Sequence, residues 1–472
     1  MRQSRSLPTA LALALAAVAG ATLLPAALGP RYGGEVRITV PSVPSSLDPG
    51  EPRSAGHLLA LGLVHDRLVD LDASGVIRPR LAASWEQASD QRQWLLTLRE
   101  SRCHDDQMVT AETVVSSLRR FVRSDSAAGA TMASSLEGGN EFRRRTSDDL
   151  PGVVAESGRQ VRLRFTTVRS APLAPLASWA AAITSLGGAP CGPFRVPVAP
   201  SAAAGGTLVF VASSGHWAGR PFLDGVLLTS SSSGAPVPAE AAGDDVATVV
   251  FGSGDPLGPP QRLVLWLETR QGPFAERAAR RALAACDWSR LAQGFLPGGS
   301  PLAGLATDAA PLRSSTAACA PTPDASHRND VTLVVASDVA PLASQRVVAQ
   351  MLALRHDPHV VVVAPDALMS SEGDAHLGFW LPDVQRPSLI VGEAASIAGL
   401  SGIERAAEAA AAVEDPDARL AAVRAAEGDL LADGAGIPLA LAPLRATLDR
   451  RLRDAVIDEG GRFELENAWL VP

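Results

Sequence analysis

Two β-branched runs on either side of a helical pattern restrict this chain more than any other feature of its sequence. Val331–Ser337 (VTLVVAS) and His359–Ala364 (HVVVVA) read as strands, and Pro341–Leu354 carries apolar residues at helical spacing. Two strands joined through a helix lie parallel in one sheet, because a parallel pair needs a long crossover. Strands with so few polar interruptions predict a sheet covered on both faces. The fold class is therefore α/β. Farther on, Asp415-Pro416 marks a helix start: the carboxylate caps and the proline suits the first turn. Leu420, Val423, Leu430 and Leu431 give that helix an apolar face, and Gly434 can stop it.

The first half is less regular. Arg37–Val40 is a strand candidate, followed by a Pro/Ser-rich stretch from Pro41 to Pro52. Leu58–Leu68 has helical spacing, while Gln93–Arg99 (QWLLTLR) and Gln160–Phe165 read as strands. Thr110 can cap a helix whose apolar face is Val114, Val115, Leu118 and Phe121, with Glu112 at its positive end. Ser201–Gly206 and Ser230–Asp245 are rich in small residues and read as loops. At 472 residues the chain has room for about three compact units.

The first 30 residues carry Arg2 and Arg5, an apolar run from Thr9 to Leu28, and small residues at Ala19-Gly20-Ala21 and Pro25-Ala26-Ala27. This is the pattern of a secretory signal peptide over 1–29. An uncleaved anchor is the competing reading. Gly20 and Pro25 would break a spanning helix where a peptidase would act, which favours cleavage. No Cys lies near the cleavage zone, so a lipoprotein is not expected. The mature protein is expected to be soluble and periplasmic. Its net charge is −8 overall, and the leader contributes only positive charge, so the remainder is more acidic still. An acidic chain is a poor partner for nucleic acid or anionic lipid. All 42 basic residues are arginine, which reads as codon bias rather than function.

Four cysteines, Cys103, Cys191, Cys286 and Cys319, allow up to two disulfides in three full pairings, or remain as buried thiols. No CxxC spacing, HExxH, GxSxG, phosphate-binding glycine loop or strand-linked GxGxxG is present. His104-Asp105-Asp106 reads as a polar turn, and Arg143-Arg144-Arg145 as a solvated loop. Neither an enzyme, a metal nor a cofactor is expected.

Short blocks in order carry a resemblance. They are Ser46-Leu47-Asp48-Pro49, then Pro79 through Trp85-Glu86, then Trp94 through Arg99 with His104-Asp105 and Val109 through Val114. Gly192-Pro193-Phe194-Arg195-Val196 follows, then Gly272-Pro273-Phe274 with Arg281-Ala282-Leu283 and Asp287. Phe379-Trp380-Leu381-Pro382-Asp383, Asp415-Pro416 with Arg419, and Ile437-Pro438-Leu439 complete the set. Together they resemble family 5 of the extracellular solute-binding proteins, the dipeptide-, oligopeptide- and nickel-binding components of ABC importers. This chain departs from the pattern in places. Asp106 replaces a turn glycine, Pro190-Cys191 replaces Gly-Thr, Arg386 replaces a second acid, and Tyr32 is the only tyrosine.

The resemblance implies a periplasmic binding protein-like two-lobed clamp of type II with an extra domain. Lobe I would comprise 36–48, 190–261 and 435–472, with an accessory domain inserted at 49–189, and lobe II would span 262–434. It further implies a monomer that holds a small peptide or similar solute by backbone and termini and passes it to an ABC permease in the inner membrane. Asp383 aligns with the family's ammonium-binding acid and Trp380 with a pocket-wall aromatic. Ser54, in the segment Arg53-Ser54-Ala55-Gly56, would face the cleft. Arg386 could instead pair with Asp383 and occupy the ammonium's place. The alternatives keep the fold with a metal chelate, haem-like compound or oligosaccharide as ligand, or make the chain a sensor or interaction module without transport.

Overall fold

The computed structural model describes residues 29–50, 54–72, 75–169, 171–197, 207–230, 246–256, 263–269, 271–288, 291, 305, 329–339, 341–384, 386–442, 445–457 and 463–471. The expected leader up to residue 28, Arg53, Cys319, the loop 201–206 and the loop 231–245 lie outside them. Among the described residues no helix is long and apolar enough to cross a membrane.

Three sheets organise the chain. The first has six strands in the order Arg445–Leu448, Val246–Pro256, Glu35–Val40, Gly225–Ser230, Thr207–Ala212 and Phe194–Arg195. Its central strand, Glu35–Val40, is parallel to both neighbours and buries Val36, Ile38 and Val40 by simple alternation. The second sheet has five strands in the order His356–Val363, Asn329–Ala336, Ala375–Trp380, Leu263–Thr269 and Gly436–Ala442. A third, antiparallel sheet contains Ala82–Gln87, Gln93–Leu98, Gln160–Arg164 and Val153–Ser157. Each sheet has its own hydrophobic core.

The chain leaves the six-stranded sheet after Pro256, enters the five-stranded sheet at Leu263, and returns between Ala442 and Arg445. Two such passages joining two sheets are the connection a hinged pair of lobes requires. The stretch 435–472, expected in lobe I, divides between them. Gly436–Ala442 pairs with Leu263–Thr269 in the second sheet, and Arg445–Leu448 joins the first.

Local signals placed most elements. Asn329–Ala336 and His356–Val363 are parallel and are joined by helix Pro341–Ala353. Thr110 caps helix Ala111–Arg123 in a capping box with Thr113. Asp415 caps Pro416–Asp433, and Gly434 ends that helix at φ 79°, a left-handed position that suits glycine. Two expectations fail. Among the described residues His356–Val363 is an edge strand, not a covered one, and Val360 and Val362 are 39% and 64% exposed. The run HVVVVA records β-propensity, which does not distinguish edge from centre. Arg143 is not in a solvated loop either. It ends helix Gly139–Arg143, is half-buried, and donates to the Val122 carbonyl at 2.9 Å and to that of Ser124, near the end of Ala111–Arg123. Cations favour that end of a helix.

Cys103 and Cys191 form a disulfide that closes a span of 88 residues. Cys286 is disulfide-bonded as well. The thiol alternative is therefore set aside for all three described cysteines. Between the bridged cysteines, His104-Asp105-Asp106 forms the expected turn. Asp106 takes a left-handed φ of 62°, His104 Nε2–H donates to the Gly192 carbonyl at 3.1 Å, and Asp105 accepts from Ser185 Oγ at 2.6 Å. Gly192 is required where it stands, since a Cβ there would fall 2.4 Å from the Val64 carbonyl carbon.

Candidate ligand-binding site

Asp383 lies just beyond the carboxyl end of strand Ala375–Trp380, in the turn that leads to helix Pro387–Ile397. Ligand sites in open α/β sheets gather at such strand ends. The side chain is buried at 8% exposure. One carboxylate oxygen accepts from the Ser178 hydroxyl, and the other from the backbone N–H of Trp179 at 3.1 Å. These donors sit at a 3-10 turn, Trp179–Ala181, about two hundred residues earlier in the chain. The backbone N–H of Asp383 donates to Glu393 Oε2 at 2.9 Å, and the Trp380 indole N–H donates to Glu393 Oε1 at 3.0 Å. Glu393, on helix Pro387–Ile397, thus fixes the Asp383 backbone and the Trp380 ring together.

Trp380 is both wall and core. It is buried, meets Trp266 edge-on at 5.5 Å between ring centroids, and packs with the apolar faces of the neighbouring helices. Ser54 caps helix Ala55–Val64 by accepting from the His57 N–H at 3.2 Å. Ser54, Trp380 and Asp383 all line one cavity of about 490 Å³, within the size range of small-molecule sites. Trp266, Phe379, Leu368 and Met369 make its apolar wall. Asp125, Glu268 and Glu393 also line it, so four carboxylates border the space with Asp383. Glu268 faces His376 across the paired strands Leu263–Thr269 and Ala375–Trp380, and His376 Nε2–H donates to the Ser371 carbonyl at 2.9 Å. Among the described residues no arginine lines the cavity.

The structure brings the three sequence-selected residues to one place, but it does not make the proposed Arg386–Asp383 pair. Among the described residues no ion pair joins them, and Arg386 lines a different cavity. Tyr32 is 67% exposed against Phe222 and takes no part in the site. Sequence reasoning missed Ser178, Trp179, Asp125, Glu268, His376 and Glu393. Two of these had a signal. Glu393 is the lone acid in an apolar helix (PSLIVGEAASI), and Glu268 ends an apolar strand (LVLWLET). A charge so placed needs a reason. Among the described residues no group of metal-ligating side chains converges.

The family profile of bacterial extracellular solute-binding proteins, family 5, middle region, matches residues 76–311. No curated protein matches the chain. Similar solved structures include the Escherichia coli murein tripeptide binding protein MppA, at 18% identity and a TM-score of 0.77, over 93% of this chain and 99% of that one. Haemophilus influenzae OppA, solved in complex with the peptide RPPGFSPFR, has 16% identity and a TM-score of 0.73 over 93% and 99%. The A. tumefaciens R10 protein AgaA, solved with agropinic acid, has 15% identity and a TM-score of 0.72 over 93% and 99%. The two sheets and their double passage are accordingly the two lobes of a periplasmic binding protein fold. The chain belongs to family 5 of the bacterial extracellular solute-binding proteins.

Proposed function

We propose that this protein is the periplasmic receptor of an ABC importer and that it captures a small peptide by its ammonium group in the cavity bordered by Asp383. The observation that carries this reading is the lining: four carboxylates, apolar aromatic walls, and no arginine among the described residues. A cation is the guest such walls select, and closure of the lobes over it would remove the water that competes with each charge. Each hydrogen bond to a charged group contributes about 1.5–3 kcal/mol, so one carboxylate anchor changes affinity about tenfold to a hundredfold. The Cys103–Cys191 disulfide supports an oxidising compartment. The permease partner, the monomeric state and removal of the leader belong to the same proposal. A cationic non-peptide solute is the second reading. It is favoured by the lining itself, whose described residues offer a peptide's carboxylate no guanidinium.

Calorimetry with a free-amine tripeptide and its N-acetylated form tests the reading. Asp383→Ala should weaken binding of the free-amine form by about 2–5 kcal/mol, because an ammonium would be left buried without its partner. The acetylated peptide should bind wild type weakly and be indifferent to the change. Equal affinity of wild type and variant for the free-amine peptide removes Asp383 from the site.

A further inference from the structure

A second cavity, of about 230 Å³, has the opposite character. Arg169, Arg386 and Arg419 line it, and among the described residues no Asp or Glu does. Its walls come from separate parts of the chain: Thr131 and Ser135 of helix Ala127–Ser135, the stretch around Arg169, the start of helix Pro387–Ile397, and the first turns of helix Pro416–Asp433. Arg169 stands on the inserted segment, whereas Arg386 and Arg419 belong to elements packed on the second sheet. The cavity therefore lies at the seam between them.

The three guanidinium groups gather there, and Glu408, which acts on Arg169 from a distance, does not line the cavity. Among the described residues, none of the three forms an ion pair within 4 Å. Arg169 Nε is buried with no hydrogen-bond partner. Glu408 is close enough to favour the charge on Arg169, but burial outweighs it and lowers the group's pKa. Arg386 is likewise pushed down, by burial first and by the neighbouring Arg419 second. Arg419 spends one nitrogen on the carbonyls of Val413 and Glu414. Arg386 also occupies the N-cap of an 11-residue helix and makes no side-chain cap bond. A cation at a helix N-terminus is electrostatically misplaced, since that end carries partial positive charge and prefers an anion. Three cations and a positive helix end around a half-open space repel one another, and a single oxyanion would relieve that repulsion.

We propose that this seam cavity binds an oxyanion, a phosphate or carboxylate group, between Arg169 on one side and Arg386 and Arg419 on the other. Guanidinium groups suit either anion through paired N–H donors. Ser388, Thr131 and Ser135 add hydroxyl groups to the lining. The anion would tie the inserted segment to the second lobe, so that its binding stabilises their contact. The oxyanion has two sources, a free anion or the carboxylate of a solute reaching from the first cavity, with which this one shares Leu389 as a wall. The proposal does not depend on what the first cavity binds.

Thermal unfolding of the full chain tests it with two probes. Inorganic phosphate is titrated at ionic strength held constant with chloride, and a free-acid tripeptide is compared with its C-terminal amide. The variants are Arg386→Gln and the double change Arg169→Gln, Arg386→Gln. Arg419 is left intact because its backbone bonds serve the fold. A saturable rise in Tm with phosphate identifies a free anion, and a rise with the acid but not the amide identifies a solute carboxylate. Either supports the proposal if the double variant needs about tenfold to a hundredfold more probe for the same rise. In anion-free buffer both variants should unfold no earlier than wild type, since each loses a repelling charge. Absence of a saturable response to both probes in wild type overturns the proposal, as does an unchanged response in folded double variant.

Discussion

Asp66 and Asp383 are both buried carboxylates, yet their surroundings give them different work. Asp66 is 1% exposed and accepts four donors: the Arg67 N–H at 2.7 Å, Arg80 Nε at 2.8 Å, His216 Nε2 at 2.9 Å and the Trp217 indole. A carboxylate offers about four lone-pair sites, so Asp66 is full. Arg80 continues the network to Glu464 at 3.0 Å and Glu466 at 2.9 Å near the C-terminus. Burial alone would raise the Asp66 pKa, but Arg80 and His216 hold it far below the usual carboxylate range. Asp383 accepts, among its described partners, from a hydroxyl and a backbone amide, and it does so on a cavity wall. An acid paired with a built-in guanidinium is a structural tie. One that borders a cavity stands where a guest would meet it.

The comparison can be broken at its strongest point first. Arg80→Ala leaves Asp66, Glu464 and Glu466 without their shared cation and should cost about 3–5 kcal/mol in denaturant unfolding. Solute affinity of the remaining folded protein should not change. A cost near zero would mean that the network is decoration. Next comes His65, which adjoins Asp66. Burial pushes its pKa down to about 4 from 6.5, despite the bond from Nε2–H to the Leu47 carbonyl at 2.9 Å. Its folded pKa lies below the unfolded one, so its contribution is complete above pH 6.5 and is lost as pH falls toward 4. The loss amounts to about 3 kcal/mol. A Tm-versus-pH profile should be flatter for His65→Gln across that window, and parallel profiles would refute the assignment. The smallest effect is expected at Asp383→Asn, which keeps an oxygen to accept from the Trp179 N–H, turns the Ser178 hydroxyl from donor to acceptor, and should cost about 1 kcal/mol of stability. A larger cost would make Asp383 a tie of the Asp66 kind.

Much of the fold could be read locally. Thr110, Asp415 and Gly434 act within one helical turn, so their message is contained in a few adjacent residues. The parallel crossover was legible for the same reason. What escaped was whatever depends on distant neighbours. Nothing near Asp383 in sequence announces Ser178, 205 residues away, and nothing in HVVVVA says that its outer side meets no described strand. Asp383, Trp380 and Ser54 were selected through short family blocks, and they line one cavity. The acids that share their cavity were missed because Asp125, Glu268 and Glu393 converge only once three separate elements have packed. Arg386 shows the opposite error. Proximity in sequence suggested a pair with Asp383, but the guanidinium lines the other cavity.

The open margin of the second sheet has a practical consequence. Among the described residues His356–Val363 pairs on one side only, and its exposed Val360 and Val362 offer a ready template to any extended chain that drifts past. Asp357 and Pro358, on the same strand, are the kind of residues that discourage such an approach. Removing them would leave the native architecture intact while making crowded or freshly refolded samples prone to clump, a failure of colloidal behaviour rather than of folding.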